Sequence, residues 1–361
     1  MGESERTDKL EERLVIKATE KGIPLSGTFE LSPICNMSCE MCYARLDRSK
    51  VEAMGGLQPK ERWLGTADEL KEAGCVFLLL TGGEPLLYPD FEQVYLGLQE
   101  RGFFLTVNTN GTLIDQEWAD FFAKHPPRRI NITLYGADAD GYEELCHYKA
   151  GFEKTVRGIR MLWENSVPVK MNVSLTAKNR KDFERFYEIA DSLEVPVEVD
   201  SYMFPMCRNK DKFDDAIRLS PEECADYHLR AMQHEMPGAQ RDFLRDAGMI
   251  WQGARFPGHD RIVCRAGRSS FWIDWRGFLS PCFALQEEEL NIWEMRFAAA
   301  WERLLARTSA VRLSERCCSC RWQKVCLSCA GRAACETGSP DGTPEYLCQF
   351  MDAIKKGFHV K

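Results

Sequence analysis

Three cysteines stand close together near the start of the chain, in the stretch Leu31 to Tyr43, LSPICNMSCEMCY. Cys35, Cys39 and Cys42 have the spacing CxxxCxxC and follow a short, apolar, strand-like run, TFEL. Three thiolates on one loop can hold three corners of an iron-sulfur cube and leave the fourth iron without a protein ligand. The spacing therefore indicates a cluster with one iron open to a substrate or cofactor.

Two alternatives for this loop remain. A structural zinc site normally has four ligands in paired CxxC or Cys/His spacing, and no fourth ligand lies nearby in the sequence. Three thiols that only pack would not be gathered with Asn36, Ser38 and Glu40 between them. We therefore favour the iron-sulfur interpretation over zinc and over packed thiols.

A second motif, TGGEP, directly follows the second predicted strand, CVFLLLT, and includes Gly82, Gly83, Glu84 and Pro85. In parallel α/β barrels, ligands bind at the carboxyl ends of the strands. Two glycines let the backbone approach a ligand closely, the glutamate offers an acceptor and the proline fixes the turn. Taken alone, the motif fits an ordinary tight turn better than a ligand site.

Together the two motifs resemble those of the radical S-adenosylmethionine (SAM) enzymes. The resemblance implies a reducible 4Fe-4S cluster on the three cysteines, with SAM on its open iron and Tyr43 as the aromatic neighbour of the third cysteine. Cleavage of SAM would then yield a 5'-deoxyadenosyl radical that abstracts a hydrogen atom from the substrate, chemistry that belongs to the cofactor.

The same resemblance assigns further SAM contacts to the ends of predicted strands. It implies that the Gly82–Pro85 turn binds the amino group of SAM, and it makes Asn110 and Thr133 candidates for contacts to SAM. Tyr135 stands where relatives often have aspartate. The alternatives are a plain turn at Asn110 and simple strand filling by Thr133.

The C-terminal part of the chain carries a second set of cysteines in metal-ligand spacing: Cys264, Cys282, Cys317, Cys320, Cys326, Cys329 and Cys348. This set resembles the SPASM extension of radical SAM enzymes, which holds up to two auxiliary 4Fe-4S clusters. Zinc ribbons are the alternative, because CxxC pairs also hold structural zinc.

The resemblance also implies the ligands of each auxiliary cluster. Cys317, Cys320, Cys326 and Cys348 would hold the distal cluster, and Cys264, Cys282 and Cys329 the proximal one. Two residues separate Cys326 from Cys329 where relatives have three. No fourth proximal ligand is present in the pattern, so that iron is open or Cys335 closes the site.

Six apolar runs alternate with amphipathic stretches between Gly27 and Pro205, and this alternation predicts a parallel sheet covered by helices. The predicted strands are TFELS, CVFLLLT, FFLTVNTN, RINITLY, VKMNVSLT and VPVEVDSY. The predicted helices are Pro59 to Ala73, Phe91 to Arg101, Asp115 to Lys124, Phe152 to Asn165 and Lys181 to Leu193. Six such units fit the partial (β/α)6 TIM-like barrel of the radical SAM fold.

We predict four parts along the chain. They are an N-terminal extension (1–26), a radical SAM partial barrel (27–205), a bridging region (206–259) and a SPASM auxiliary iron-sulfur domain (260–361). The bridging region contains a charged run, RNKDKFDD, and a helix with Ser220 as its N-cap and Glu223 as the capping-box partner.

Composition narrows the classes of function and location. The chain has 361 residues, 44% hydrophobic and 28% charged, and no apolar run approaches the roughly 18 residues that span a bilayer. Its charged start, MGESERTDKLEERL, is not a secretory signal. A net charge of -8 argues against nucleic acid as a partner. We expect a cytoplasmic protein without a membrane or nucleic-acid partner.

The function that these features predict is an oxidoreductase of the radical SAM type that modifies a ribosomally made peptide. The expected partners are the substrate, an electron donor such as flavodoxin or ferredoxin, and a separate leader-peptide-binding protein. Two alternatives are dehydrogenation or another modification of a small molecule, such as an aminocyclitol or a tetrapyrrole, and a non-catalytic iron-sulfur electron carrier. The sequence does not identify a catalytic acid or base, and no Ser/His/Asp arrangement points to hydrolysis.

Overall fold

The computed structural model describes residues 3–205, 214–252, 258–286 and 288–357. The chain divides into two compact units. The first unit comprises residues 1–35, 44–108 and 262–311, and the second comprises residues 36–43, 109–261 and 312–361. Most of the predicted charged run RNKDKFDD lies outside the described residues. The four predicted parts of the chain stay a prediction.

The elements follow one another along the chain with these bounds. The strands are β1 (Ser26–Ser32), β2 (Phe77–Gly82), β3 (Phe104–Thr109), β4 (Arg129–Thr133), β5 (Val169–Ser174), β6 (Val197–Asp200), β7 (Ser270–Ile273) and β8 (Leu279–Ser280). The helices are α1 (Glu3–Lys21), α2 (Arg48–Ala53), α3 (Lys60–Glu72), α4 (Phe91–Glu100), α5 (Gln116–Lys124), α6 (Ala139–Cys146), α7 (Gly151–Glu164), α8 (Phe183–Ser192), α9 (Pro221–Glu235), α10 (Pro237–Trp251), α11 (Phe297–Ala310), α12 (Glu315–Cys318), α13 (Ala330–Thr337) and α14 (Glu345–Gly357).

In the first unit, β1 pairs in parallel with β2 on one side and with β7 on the other. β3 extends the sheet beyond β2 in parallel, whereas β8 is antiparallel to β7. Phe29 is fully buried and contacts the ring of Trp63, with 4.9 Å between the centroids. Trp63, Ala67 and Leu70 recur at helical spacing and form the buried face of α3. This core holds the end of β1, where the CxxxCxxC motif begins.

The second unit contains β4, β5 and β6, which pair in parallel in that order. Ile130, Ile132, Met171 and Val173 point to one face of this sheet and are buried. Polar residues alternate with them and point to the other face, where they keep some exposure. The sheet therefore has an apolar side for packing and a polar side available for ligands.

The predicted α/β class with parallel strands is confirmed, and each predicted strand and helix overlaps an observed one. The capping box between Ser220 and Glu223 is also present. Two features were not predicted. Helix α6 stands between β4 and α7, and β7 joins the sheet of the first unit beside β1.

In the described part of the chain, no helix combines the length and the apolar character that crossing a membrane requires.

Candidate functional site

The backbone that leads into the cysteine loop is fixed within the first unit. Ser32 ends β1, and its Oγ accepts the N–H of Ile34 at 3.1 Å. The N–H of Leu46 donates to the carbonyl oxygen of Pro33 at 3.0 Å, where the chain returns to this unit. Hydrogen bonds from residues before and after the cysteine loop thus hold Pro33 and Ile34, which directly precede the partly exposed Cys35.

The Gly82–Pro85 turn lies against this same backbone. The N–H of Gly83 donates to the Ser32 oxygen at 2.7 Å, and the N–H of Glu84 donates to the Ile34 oxygen at 2.9 Å. A Cβ added at Gly82 would lie 2.2 Å from the Ser32 oxygen, and one added at Gly83 would lie 2.6 Å from the Ile34 oxygen. Both glycines are therefore required for the turn to approach the start of the cysteine loop.

The Glu84 side chain also stabilises the backbone that follows it. It is fully buried, and its Oε1 accepts the N–H of Leu86 at 3.1 Å. The carboxylate thereby caps the single 3-10 turn Pro85–Leu87. The assignment of this turn to the amino group of SAM stays a prediction.

The other two cysteines belong to the second unit, where residues 36–43 dock on the carboxyl end of α6. The N–H groups of Ser38 and Glu40 donate to the carbonyl oxygens of Cys146 and Leu145, at 3.1 and 3.0 Å. These are carbonyls that a helix end leaves without an internal partner. The C-terminus of α6 therefore sets the position of the loop that carries Cys39 and Cys42.

Glu40 lies between Cys39 and Cys42 in the sequence, and Lys178 offsets the charge of its carboxylate. Its Oε1 lies 2.8 Å from Lys178 Nζ and 3.5 Å from His147 Nε2. The Lys178 ammonium also donates to the carbonyl oxygen of Glu144, at 3.3 Å. Lys178 thus reduces the repulsion that Glu40 would exert on neighbouring thiolates.

A chain of polar side chains within the second unit joins Asn36 to Asn110 and Thr112. Asn110 Nδ2 donates to Asn36 Oδ1 at 2.9 Å, and Asn36 Nδ2 donates to Thr112 Oγ1 at 2.8 Å. Asn110 Oδ1 in turn accepts the N–H of Thr112 at 2.9 Å. The sequence predicted Asn110 as a contact to SAM; in the structure its side chain holds the residue that follows Cys35.

The remaining predicted cofactor contacts lie in the second unit. The ring of Tyr43 packs 5.9 Å from that of Phe204, and Thr133 is partly exposed on the polar face of β4. The N–H of Tyr135 donates to Tyr142 Oη at 3.4 Å. Contacts of Tyr43 and Thr133 with a cofactor stay predictions.

One cavity in the second unit gathers four of the predicted ligands. Cys317, Cys320, Cys326 and Cys348 line a space of about 140 Å³ together with Trp322, Met351 and other residues. Burial raises the pKa of the Cys326 thiol to about 11, and a coordinated metal would counter that effect. Among the described residues, no three metal-ligating side chains lie close enough together to hold one ion.

The residues that line this cavity have the chemistry of a cluster site. Four cysteine thiolates are the ligand set of a 4Fe-4S cube, and they are also a ligand set of structural zinc. A 4Fe-4S cube places eight atoms between its cysteines and needs room of this kind. The residues present therefore fit the predicted distal cluster.

The other predicted auxiliary ligands lie in different surroundings. Cys264 is exposed and Cys282 is partly exposed, both in the first unit, whereas Cys329 is exposed in the second. Cys329 is the N-cap of α13, and its Sγ accepts the N–H of Arg332 at 3.4 Å. Cys335, on the same helix, is buried. The proximal cluster on Cys264, Cys282 and Cys329 stays a prediction.

Sequence reasoning missed a polar network around α13. Arg218 and Glu336 form an ion pair at 2.6 Å with side chains only 7% and 8% exposed, and Tyr202 Oη donates to Glu336 at 2.8 Å. Next to this network Asp200 ends β6 on the polar face, and Arg332 lies over the Tyr202 ring at 4.5 Å. Asp200 could have been recognised from the sequence as a carboxylate at the carboxyl end of a predicted strand. Its partners lie far away in the sequence, and no pattern pointed to them.

Comparison with known proteins agrees with this architecture. Residues 29–190 match the sequence profile of the Radical SAM superfamily. An AdoMet-dependent heme synthase of Methanosarcina barkeri is 24% identical over 86% of this chain and 92% of its own length. The antilisterial bacteriocin subtilosin biosynthesis protein AlbA of Bacillus subtilis is 26% identical over 86% of this chain and 68% of its own length.

A solved structure shows the same fold. SuiB of Streptococcus suis, bound to precursor peptide SuiA, superposes with a TM-score of 0.69 at 17% identity, over 93% of this chain and 79% of that one. The predicted radical SAM fold is thereby confirmed, and the superfamily uses a 4Fe-4S cluster together with SAM. Residues 29–190 of the chain form a Radical SAM domain.

Proposed function

We propose that this radical SAM enzyme modifies a ribosomally made peptide by crosslinking, thioether formation or oxidation. The observation that carries the proposal is the four-cysteine cavity of the second unit, which offers a place for a 4Fe-4S cluster beyond that of the CxxxCxxC loop. AlbA is named for the biosynthesis of a bacteriocin, and SuiB was solved with a precursor peptide. Both likenesses support a peptide as the substrate.

The chain's own residues would act by holding the cofactors and fixing their surroundings. Cys35, Cys39 and Cys42 would hold the first cluster, and the residues that line the four-cysteine cavity would hold the distal one. When bound, the first cluster and SAM supply a 5'-deoxyadenosyl radical for hydrogen abstraction. The turn at Gly83 fixes the backbone before Cys35, and Lys178 offsets the charge of Glu40 beside the other two cysteines.

Reductive cleavage of SAM needs one electron for each turnover, which the chain must receive from outside. We therefore include an electron donor of the flavodoxin or ferredoxin type in the proposal. Chemical reductant replaces this partner in the experiments described below.

A tetrapyrrole is the second candidate substrate. The heme synthase of Methanosarcina barkeri aligns over 92% of its own length, whereas AlbA aligns over 68% of its length. The name of that relative, AdoMet-dependent heme synthase, indicates that a protein similar to this chain over most of its length acts in heme synthesis.

One experiment separates the two substrates. The anaerobically reconstituted enzyme is incubated with SAM and dithionite, and with either iron coproporphyrin III or synthetic peptides encoded by short reading frames beside the gene. We expect a peptide to raise 5'-deoxyadenosine above the substrate-free level and to change in mass. A mass change in the tetrapyrrole, with every peptide intact, would overturn the peptide proposal.

A further inference from the structure

Asp200 occupies a position at which substrates bind in barrel enzymes. It pairs with Ser174 on β5, and two residues earlier Glu198 pairs with Asn172, which pairs with Thr133 on β4. All five side chains share the polar face of the sheet. Strand geometry places Asp200 about 7 Å further toward the carboxyl ends than Thr133 and about 10 Å across the sheet. Active sites of barrels lie at those ends.

The Asp200 carboxylate retains acceptor capacity. Oδ1 accepts the N–H of Tyr202 at 2.9 Å, and no other donor reaches the side chain from the residues that the structure describes. Asp200 is exposed, yet surrounding protein raises its pKa by desolvation. A carboxylate with an unused oxygen can accept a further hydrogen bond from a ligand.

Arg332 supplies donors beside this carboxylate. Its guanidinium lies 4.5 Å above the Tyr202 ring, and Nη1 donates to the carbonyl oxygen of Leu327 at 2.5 Å. Its charge favours the ionised form of Asp200, but no ion pair joins the two within the described residues. Tyr202 contacts both groups, since its N–H donates to Asp200 and its ring lies under Arg332.

Buried contacts fix both groups in place. Tyr202 is buried, and its hydroxyl donates to Glu336, which pairs with Arg218. Glu336 and Arg332 both belong to α13, so the network that anchors this helix also sets the height of Arg332 above Tyr202. Donor and acceptor are therefore preorganised, which lowers the cost of binding a ligand between them.

We propose that Asp200 and Arg332 bind the main chain of a peptide substrate, with Asp200 accepting a peptide N–H and Arg332 donating to a peptide C=O. This inference rests on the proposed peptide substrate. A peptide offers a donor and an acceptor at close spacing, as this pair requires. A carboxylate of a tetrapyrrole would pair with Arg332 but would be repelled by Asp200, whereas a peptide C=O and N–H suit both groups.

The first test labels carboxyl groups on the anaerobic holoenzyme with a water-soluble carbodiimide and glycinamide near pH 6.5, followed by peptide mass mapping. Glu198 lies two positions before Asp200 on the same strand face and forms an ion pair with Lys170. We therefore expect Asp200 to be labelled more than Glu198. The synthetic precursor peptide should suppress labelling of Asp200 at least fivefold and leave Glu198 unchanged. Iron coproporphyrin III at equal concentration should protect neither residue.

The second test uses variants and the same peptide. Asp200→Asn keeps an acceptor for the Tyr202 N–H, and Arg332→Gln removes the cation; each should raise KM for the peptide at least tenfold with a smaller change in kcat. Arg332→Lys should recover part of the loss. Glu198→Gln is the matched control and should change KM less than twofold.

The outcomes separate this inference from the proposed function. A peptide that is modified while Asp200 stays unlabelled, or unprotected, overturns the role of Asp200 and keeps the peptide substrate. Turnover of iron coproporphyrin III that also protects Asp200 overturns the peptide substrate and the main-chain binding together. If both variants modify the peptide with an unchanged KM, the assignment of Asp200 and Arg332 to peptide binding is overturned.

Discussion

Gly83 shows at the scale of one residue how the SAM motif serves the cysteine loop. Its Cβ position is 2.6 Å from the carbonyl oxygen of Ile34, so Gly83→Ala must push the turn away from the residue before Cys35. We expect Gly83→Ala to lower iron bound by the first site and to destabilise the fold by about 1–3 kcal/mol. Iron analysis after anaerobic reconstitution and urea unfolding measure both effects.

Gly65 provides the control for that substitution. It lies within α3, and a Cβ added there meets no atom within 4 Å. Gly65→Ala should leave the iron content unchanged and raise stability by up to about 1 kcal/mol, because alanine favours the helix. Equal iron loss in both variants would contradict the role assigned to the close approach at Gly83.

The pair Arg218 and Glu336 is a second case at this scale. Both side chains are nearly buried, so Arg218→Met would leave the Glu336 carboxylate without its cation in the interior. We expect a loss of about 3–5 kcal/mol in the free energy of unfolding. Arg245→Met removes surface ion pairs with Asp242 and Asp246 and should cost much less. Similar losses in urea unfolding would refute the importance of burial at Arg218.

His228 makes stability depend on pH. Burial, with a smaller contribution from Arg332, lowers the pKa of this imidazole to about 4, compared with about 6.5 in an unfolded chain. Between these values the unfolded chain binds the proton and the folded one does not, so stability falls as the pH drops from about 6.5 to 4. The loss is at most about 3 kcal/mol. Urea unfolding at pH 7.5 and 5.0 should show a smaller drop for His228→Gln than for the wild type; an equal drop would exclude His228 as the cause.

At the scale of elements, α13 places Cys329 and Cys335 in different surroundings. Cys329 is the exposed N-cap, whereas Cys335 is buried six residues later, about 120° away around the helix. We expect Cys329→Ala to lose auxiliary-cluster iron and Cys335→Ala to keep it, with an unchanged auxiliary electron resonance signal. Loss of that signal in Cys335→Ala would make Cys335 a ligand and withdraw the argument for an open proximal iron.

The sequence predicted elements where the pattern is local. The six apolar runs became β1 to β6, and the turn after CVFLLLT was recognised from two glycines and a proline. The pairing of β7 with β1 was not predicted, because it joins residues more than 240 positions apart. Only the folded chain shows that the glycines of GGEP face backbone at Ser32 and Ile34.

At the scale of the whole molecule, most of the predicted site residues were identified from the spacing of the cysteines. Cys317, Cys320, Cys326 and Cys348 were grouped from the sequence, and the structure places them around one cavity. Asp200 and Arg332 were not grouped, because 132 positions separate them and neither belongs to a motif. Ligands that follow a characteristic spacing can be predicted from the sequence. Two residues that only the folded chain brings together can be identified only from the structure.

The most direct measurement of the central claim is reductive cleavage of SAM. Anaerobically reconstituted protein is incubated with SAM and dithionite without substrate, and 5'-deoxyadenosine is quantified by chromatography and mass spectrometry. We predict slow formation of 5'-deoxyadenosine by the wild type and none by the triple alanine variant of Cys35, Cys39 and Cys42, which should also lose about four of about twelve iron atoms. An intact, reducible first cluster that cleaves no SAM would contradict the account and favour a non-catalytic electron carrier.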